Sequence, residues 1–416
     1  MELYEEKYKR KKAFPVLLCM VSWYQIAIQP LLEIPNMLLI LGVLSVTTAI
    51  LECAEGEHCY FPMPPKEVLI VLLYVVLTYL LGFYNSPNPS YHATYGITVI
   101  EMSIFMVLVC YYHITRGNTD LLIKNFIILY TLMSVKFLVS PQIYSNHIEG
   151  IRYSYSTTMN PNSFAIGLSI ALWCLLYLHT KKKLRRRFLT IPLIVIFLVV
   201  IFMTGSRKSL LASLICIVLW FLFCYIPDIG GDWRNKIIGG VLSTFILVLI
   251  SSIVLSRTTD SMMLHRMRML QGALSQESDR MSYYALGYEY LKQAPFVGYG
   301  FQGFASLNGG MYSHSTIVEV FVSSGIPLGI LYFSMYGSIL SKLISSLKIT
   351  RRGWDLPVQR EICLCLILML VMVFYAFMIN HLYDLNSFIV FGIIIMMTRK
   401  NYQKRYGLVK DNNGFS

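Results

Sequence analysis

The chain alternates long apolar runs with short polar breaks, and the run length predicts membrane helices. About 20 apolar residues cross a bilayer core, fewer in a short or flanked helix. Candidate spans fall at 14–32, 36–51, 67–84, 95–112, 121–139, 162–179, 188–204, 208–226, 237–255, 316–338, 362–380 and 384–398. The pattern predicts an all-α polytopic membrane protein of about twelve helices. Pro30, Glu33 and Pro35 crowd the turn between the first two spans and make that pair the hardest to place. The first apolar run is too long for a signal-peptide core and lacks a small-residue cleavage site, so it is expected to stay attached as a span.

The longest segment between spans is 256–315. It divides the chain into an N-terminal transmembrane bundle at 1–255, a large loop at 256–315, and C-terminal spans with a tail at 316–416. Long loops in compact proteins are usually functional. Inside this one, Ser278 is placed to cap a helix over 279–293, where Met281, Tyr284, Ala285, Tyr288 and Leu291 recur at helical spacing. Pro295 and the Gly-Tyr-Gly turn at 298–300 then end it.

Composition agrees with a membrane: 56% of the 416 residues are hydrophobic and 14% charged, against roughly 25% charged in an average soluble domain. The net charge of +13 would suit nucleic acid if it gathered on one folded face, but the basic residues lie in clusters between apolar runs. Their distribution reports topology instead. With the N-terminus inside, 26 of the 35 Lys and Arg fall on the cytoplasmic side, the side on which short loops are enriched in them. Twelve spans with both termini cytoplasmic follow, and the large loop is extracytoplasmic. The basic run at 181–187 reads as a stop-transfer and anionic-lipid contact. Of the nine cysteines, all except Cys53 and Cys59 lie in apolar runs, which gives no disulfide framework. Cys53 and Cys59 flank His58 at a spacing that fits no standard zinc pattern, so an ordinary acidic loop is the plainer reading.

Three outer-face features carry candidate chemistry. At 203–210, Gly205 and Ser206 separate two spans, and Arg207 with Lys208 stands on the side poor in basic residues; a snorkelling anchor is the alternative. Arg280 falls in the first turn of the loop helix, where the macrodipole disfavours a cation, unless Glu277 or Asp279 pairs with it. His314 precedes a span, with Glu319 a turn and a half into it; an interfacial polar residue is the alternative there. Together they put two guanidinium groups and an imidazole on one face, in a loop rich in Tyr283, Tyr284, Tyr288, Tyr290, Tyr299, Phe301 and Tyr312. Guanidinium forks bind phosphate, imidazole takes a proton near neutral pH, and aromatic faces pack on sugar rings. That inventory suits a lipid-pyrophosphate sugar donor.

The segments NPNSFAIGL at 160–168, TGSRKSLLASL at 204–214, SDRMSYYALGYEYLKQAPFVGYGFQGF at 278–304 and SHSTIVEVFVSSGIPLGILYF at 313–333 resemble the O-antigen ligase and O-antigen polymerase superfamily of bacterial surface-polysaccharide assembly. The resemblance implies a C-type glycosyltransferase-like membrane fold, no cofactor, metal-independent transfer and an undecaprenyl-diphosphate-linked glycan as donor, with a glycan acceptor. Arg207, Arg280 and His314 match the family's essential arginines and histidine. Ser315 stands where the family usually has Asn after the histidine. Glu319 is expected to orient the imidazole, with Arg152, Lys208, Tyr284, Tyr288 and Tyr299 as substrate contacts.

The reading is a glycosyltransferase of the bacterial cytoplasmic membrane that polymerises O-antigen or capsular repeat units. A ligase transferring polymer to a lipid A core is the first alternative, and a polysaccharide-lipid flippase or transporter the second. A flippase and a chain-length regulator are the expected protein partners, and no nucleic acid is.

Overall fold

A computed structural model describes residues 2–32, 34, 37–54, 63–147, 150–181, 187–225, 279–353 and 356–405. Its helices are α1 (Glu2–Trp23, continued by a π-helical turn Tyr24–Ile28), α2 (Met37–Ala54), α3 (Lys66–Asn85), α4 (Pro89–Arg116), α5 (Asp120–Val139), α6 (Pro161–Thr180), α7 (Thr190–Met203) and α8 (Arg207–Trp220). After the expected span at 237–255, which lies outside the described residues, come α9 (Asp279–Gln293), the short α10 (Gly303–Leu307), α11 (Thr316–Gly353), α12 (Leu356–Met378) and α13 (Leu385–Arg405).

Eight of the described helices are long and apolar enough to cross a membrane, and Ala13–Ile28 and Thr190–Met203 are shorter apolar helices. The protein is therefore a multi-pass, predominantly helical membrane protein. The helical architecture carries one short hairpin in the α5–α6 connection, where β1 (Gln142–His147) and β2 (Gly150–Ser154) pair antiparallel, with Ser145 opposite Arg152. The segment between α5 and α6 is too short of apolar residues for a span, and its backbone groups satisfy one another across the hairpin.

The helix boundaries follow local chemistry. Asn-Pro opens both α4 and α6: Asn88 Oδ1 accepts from Tyr91 N at 3.0 Å and Asn160 Oδ1 from Asn162 N at 2.9 Å, while proline occupies the position whose N–H would be unused. Gly117, at φ 71°, closes α4 in the left-handed conformation.

Burial sorts the helices into layers. In α6, 83% of the most apolar window is buried, against 17% in α2. A helix apolar on every side belongs at the centre, so α6 is the hub and α2 faces lipid. Buried Ser45, Ser103, Ser134 and Ser169 return their hydroxyls to carbonyls one turn back, leaving no donor open to hydrocarbon.

Ion pairs gather at one end of the bundle. Glu52 pairs with Arg116, Glu67 with Lys342, and Lys181 with Glu361. They join helix ends distant in sequence, and the candidate site occupies the opposite end. The rest of the basic run, 182–186, lies outside the described residues.

Candidate active site at the broken helix

The site is organised by a break in α11. Gly325 has φ 72° and ψ −179°, and Pro327 follows it. Pro327 has no N–H, so the break releases backbone groups that a continuous helix would pair. The loop turn after α9 takes them up: Tyr299 N donates to Val322 O at 2.9 Å, Gly300 N to Ser323 O at 2.8 Å, and Ile326 N to Pro295 O at 2.7 Å. This contact requires glycine on both sides, because a Cβ on Gly298 would meet Gly325 N at 2.6 Å and one on Gly325 would meet the Phe296 carbonyl carbon at 2.6 Å. The segments APFVGYG and SSGIPLG are thus two halves of one joint.

The same turn is fixed from its other side. Phe301 N donates to His92 Nδ1 at 2.8 Å, and His92 Nε2 lies 3.0 Å from Tyr79 O. A backbone donor at Nδ1 puts the imidazole proton on Nε2, so buried His92 acts as a neutral clamp between loop and bundle. Gln302 N donates to Tyr383 Oη at 2.8 Å, and Tyr383 passes its proton toward Glu319 Oε1 at 3.2 Å.

Glu319 is completely buried. Its carboxylate accepts from Ser313 Oγ at 3.1 Å, Ser323 Oγ at 3.2 Å and Tyr383 Oη. Three neutral hydroxyls supply the hydrogen bonds that a buried carboxylate requires. Glu319 therefore joins α11, the α12–α13 connection and the turn holding His314. Glu319 is expected to orient the imidazole, and one of its three partners, Ser313, immediately precedes His314.

His314 itself is half-buried with φ 52°. Positive φ is uncommon in a side-chain-bearing residue, and such conformations persist where surrounding structure enforces them. Its ring lies 4.3 Å from that of Tyr312 and 5.9 Å from that of Tyr283, centroid to centroid.

The C-terminal carbonyls of α12 bring the sequence motifs together. Ala376 O accepts from Ser315 Oγ at 3.2 Å, Phe377 O from Tyr284 Oη at 2.7 Å, Met378 O from Lys208 Nζ, and Ile379 O from Thr316 Oγ1 at 2.8 Å. Helix C-termini leave such carbonyls open and carry partial negative charge. Here one turn of carbonyls ties the start of α8, the loop helix α9 and the start of α11 to a common point. Arg207, the exposed first residue of α8, adjoins Lys208. Arg280 stands one turn before Tyr284 on α9, a spacing that places both on one helix face.

The expected residues thus divide. Arg207, Lys208, Tyr284, His314 and Glu319 converge around the end of α12. The Tyr284 hydroxyl donates to Phe377 O and lies 3.0 Å from Ser315 Oγ. Tyr299 braces the turn, donating to Gln293 Oε1 at 3.4 Å, and Tyr288 is 60% exposed beneath Lys292, whose ammonium lies 4.4 Å from its ring centre. Arg280 and Arg152 are located by backbone alone, their side chains lying outside the described part of the structure, as do Ser278, His58 and Cys59. None of the eight described cysteines is assigned to a disulfide. Among the described residues, no three His, Cys, Asp or Glu side chains cluster as metal ligands.

Residues 192–333 match the model of the O-antigen ligase family. This O-antigen ligase segment covers the central third of the chain and contains Arg207, Arg280, His314 and Glu319. The match supports the resemblance of this segment to the O-antigen ligase and polymerase superfamily. A search of curated proteins finds no match.

Several supporting residues escaped the sequence reading. His92, Tyr383 and the carbonyls of 376–379 all lie outside the O-antigen ligase segment. The backbone carbonyls carry no sequence signal; His92, a polar residue opening an apolar span, carries a weak one.

Proposed function

We propose that this O-antigen ligase domain transfers an oligosaccharide from undecaprenyl diphosphate to a hydroxyl of a second glycan, on the outer face of the cytoplasmic membrane, polymerising repeat units. The supporting observation is the convergence of the α8 cations, the loop helix and the His314 turn on the end of α12.

The chemistry follows from charge. The anomeric carbon–oxygen bond to the pyrophosphate breaks and a bond to the acceptor oxygen forms. The acceptor proton goes to His314, and the pyrophosphate leaves as an anion needing no protonation. Arg207 and Arg280 stabilise that developing charge, with Lys208 fixing the start of α8. Because arginine side chains supply the positive field, no divalent ion is required. A shallow apolar groove of about 460 Å³, lined by Ile317, Phe321, Ile330, Phe333 and Ser334, runs along the kinked α11, and suits the hydrocarbon of such a carrier.

Polymerisation is favoured over ligation by the compact loop and the Lys-, Ile- and Tyr-rich composition of the chain. The flippase and the chain-length regulator remain proposed partners, capsule or O-antigen the proposed product, and twelve spans with cytoplasmic termini the proposed threading. Deleting the gene and resolving surface glycan on a gel tests the reading. Loss of the ladder with a single-repeat product retained is expected. Loss of all attached polymer, with lipid-linked chains accumulating, would mean ligation instead.

A further inference from the structure

We infer that Tyr312, together with Tyr283, forms the platform on which the acceptor sugar stacks while its hydroxyl meets His314. The inference rests on the transfer reading and adds a subsite to it. Of the aromatic residues first expected to contact substrate, Tyr284 and Tyr299 make hydrogen bonds away from the imidazole and Tyr288 lies beside Lys292. The rings beside the imidazole are Tyr312 and Tyr283.

Their geometry differs. Tyr283 packs edge-on against Phe304, 6.0 Å between centroids, and belongs to the small apolar cluster of Phe304, Val318 and Val322. It forms the fixed wall. Tyr312 is 41% exposed, and neighbouring Met311 56%, although it stands only 4.3 Å from the imidazole centroid. The chain reaches it through Gly309 and Gly310, both at positive φ, where an added Cβ would meet nothing within 4 Å. A partly exposed ring therefore stands beside the proposed base.

Acceptor, rather than donor, follows from the arrangement of charge. The pyrophosphate is drawn to the arginine side, at the start of α8 and the first turn of α9. The hydroxyl that loses its proton must lie within hydrogen-bond reach of the imidazole, so the sugar bearing it covers the rings flanking His314. A pyranose with an apolar C–H face satisfies both demands, packing on an aromatic ring and presenting an equatorial edge to the base.

The test uses full-length protein in detergent and the repeat-unit oligosaccharide released from the host's surface glycan by mild acid. Saturation-transfer NMR on this soluble glycan reads stacking without turnover. Signal at the sugar C–H protons is expected with wild type and Tyr312→Phe, and its loss with Tyr312→Leu, which keeps bulk but removes the aromatic face. In transfer assays at fixed donor, Tyr312→Leu should raise the acceptor KM by about tenfold, the scale of one aromatic contact, with kcat and donor KM little changed. Absence of signal from wild type, equal signal in Tyr312→Leu, or a fall confined to kcat would each overturn the platform. Wild-type saturation transfer lost in Tyr312→Leu, without glycan transfer by wild type, would uphold the subsite and refute the transfer reading.

Discussion

At the scale of single residues, the site separates groups that act on substrate from groups that hold them. His314→Ala should abolish transfer while leaving donor binding nearly intact, because a base works on the acceptor and not on the pyrophosphate. Transfer in isolated membranes, normalised to protein level, checks this, and wild-type rates would refute it. Arg207→Lys and Arg280→Lys should each lose on the order of a hundredfold, since a point charge does not reproduce the guanidinium fork aimed at developing charge. Near-normal turnover in both would return the snorkelling and salt-bridge readings to first place. Glu319 belongs to the holding group. Its replacement by Ala leaves the buried hydroxyls of Ser323 and Tyr383 without their acceptor, while Ser313 Oγ keeps the Ser315 carbonyl, at roughly 1–3 kcal/mol for each left unpaired. Glu319→Gln retains one carbonyl acceptor, so thermal unfolding in detergent should rank wild type above Gln and Gln above Ala. Equal midpoints for the two variants would exclude the network as a structural tie. The proposed reactive residues stood out in the sequence because arginine on a basic-poor face and histidine at a helix entrance are conspicuous against an apolar background. Their supports were not, because Tyr383 and His92 resemble ordinary interfacial aromatics until distant backbone meets them.

Between elements, the joint of the loop turn with the broken α11 decides where the site stands. The periodic pattern predicted α9 over 279–293, and Asp279–Gln293 is helical. It also predicted a span at 316–338, whereas α11 continues to Gly353 with an interruption at Gly325. Hydropathy senses neither a kink nor the carbonyls it releases, since both are backbone properties; Gly and Pro two residues apart were the available sign. The joint makes a testable contrast between glycines of similar φ. Gly325→Ala places a methyl 2.6 Å from the Phe296 backbone, while Gly309→Ala, at φ 59°, meets open space. Gly309→Ala costs about 1–2 kcal/mol for a left-handed side-chain-bearing residue, whereas Gly325, at φ 72° and ψ −179°, occupies a region essentially restricted to glycine, and its substitution must also part the loop from the helix. Gly325→Ala should therefore lower both thermal stability and transfer well beyond Gly309→Ala. Indistinguishable variants would show that the ladder between 295–300 and 322–326 does not position the site.

For the whole molecule, the threading follows from charge and from the helices together. Helix order puts the ends bearing Glu52, Arg116, Glu67, Lys342, Lys181 and Glu361 on one side, and Arg207, the α9 loop, His314 and Tyr383 on the other. The side with the ion pairs also collects most of the basic residues, which favours its being cytoplasmic. The span count depends on 237–255: an odd number of crossings between Tyr225 and Asp279 is needed if α8 ends inside and α9 begins outside. A phosphatase or fluorescent reporter fused after Arg187 should accordingly read cytoplasmic, and one fused near Asn308 extracytoplasmic. The opposite pair of readings would invert the molecule and place His314 away from a donor on the outer leaflet. Two cytoplasmic readings would mean that 237–255 does not cross, leaving the α9 loop on the same side as the basic run at 181–187. Two cytoplasmic readings would contradict the ties that bring Lys208 of α8 and Tyr284 of α9 to one end of α12, whereas an inverted pair would leave the site's own geometry intact. What would fall is the assignment of its substrate to the outer face, so the pair of fusions tests the compartment of the reaction independently of its residues.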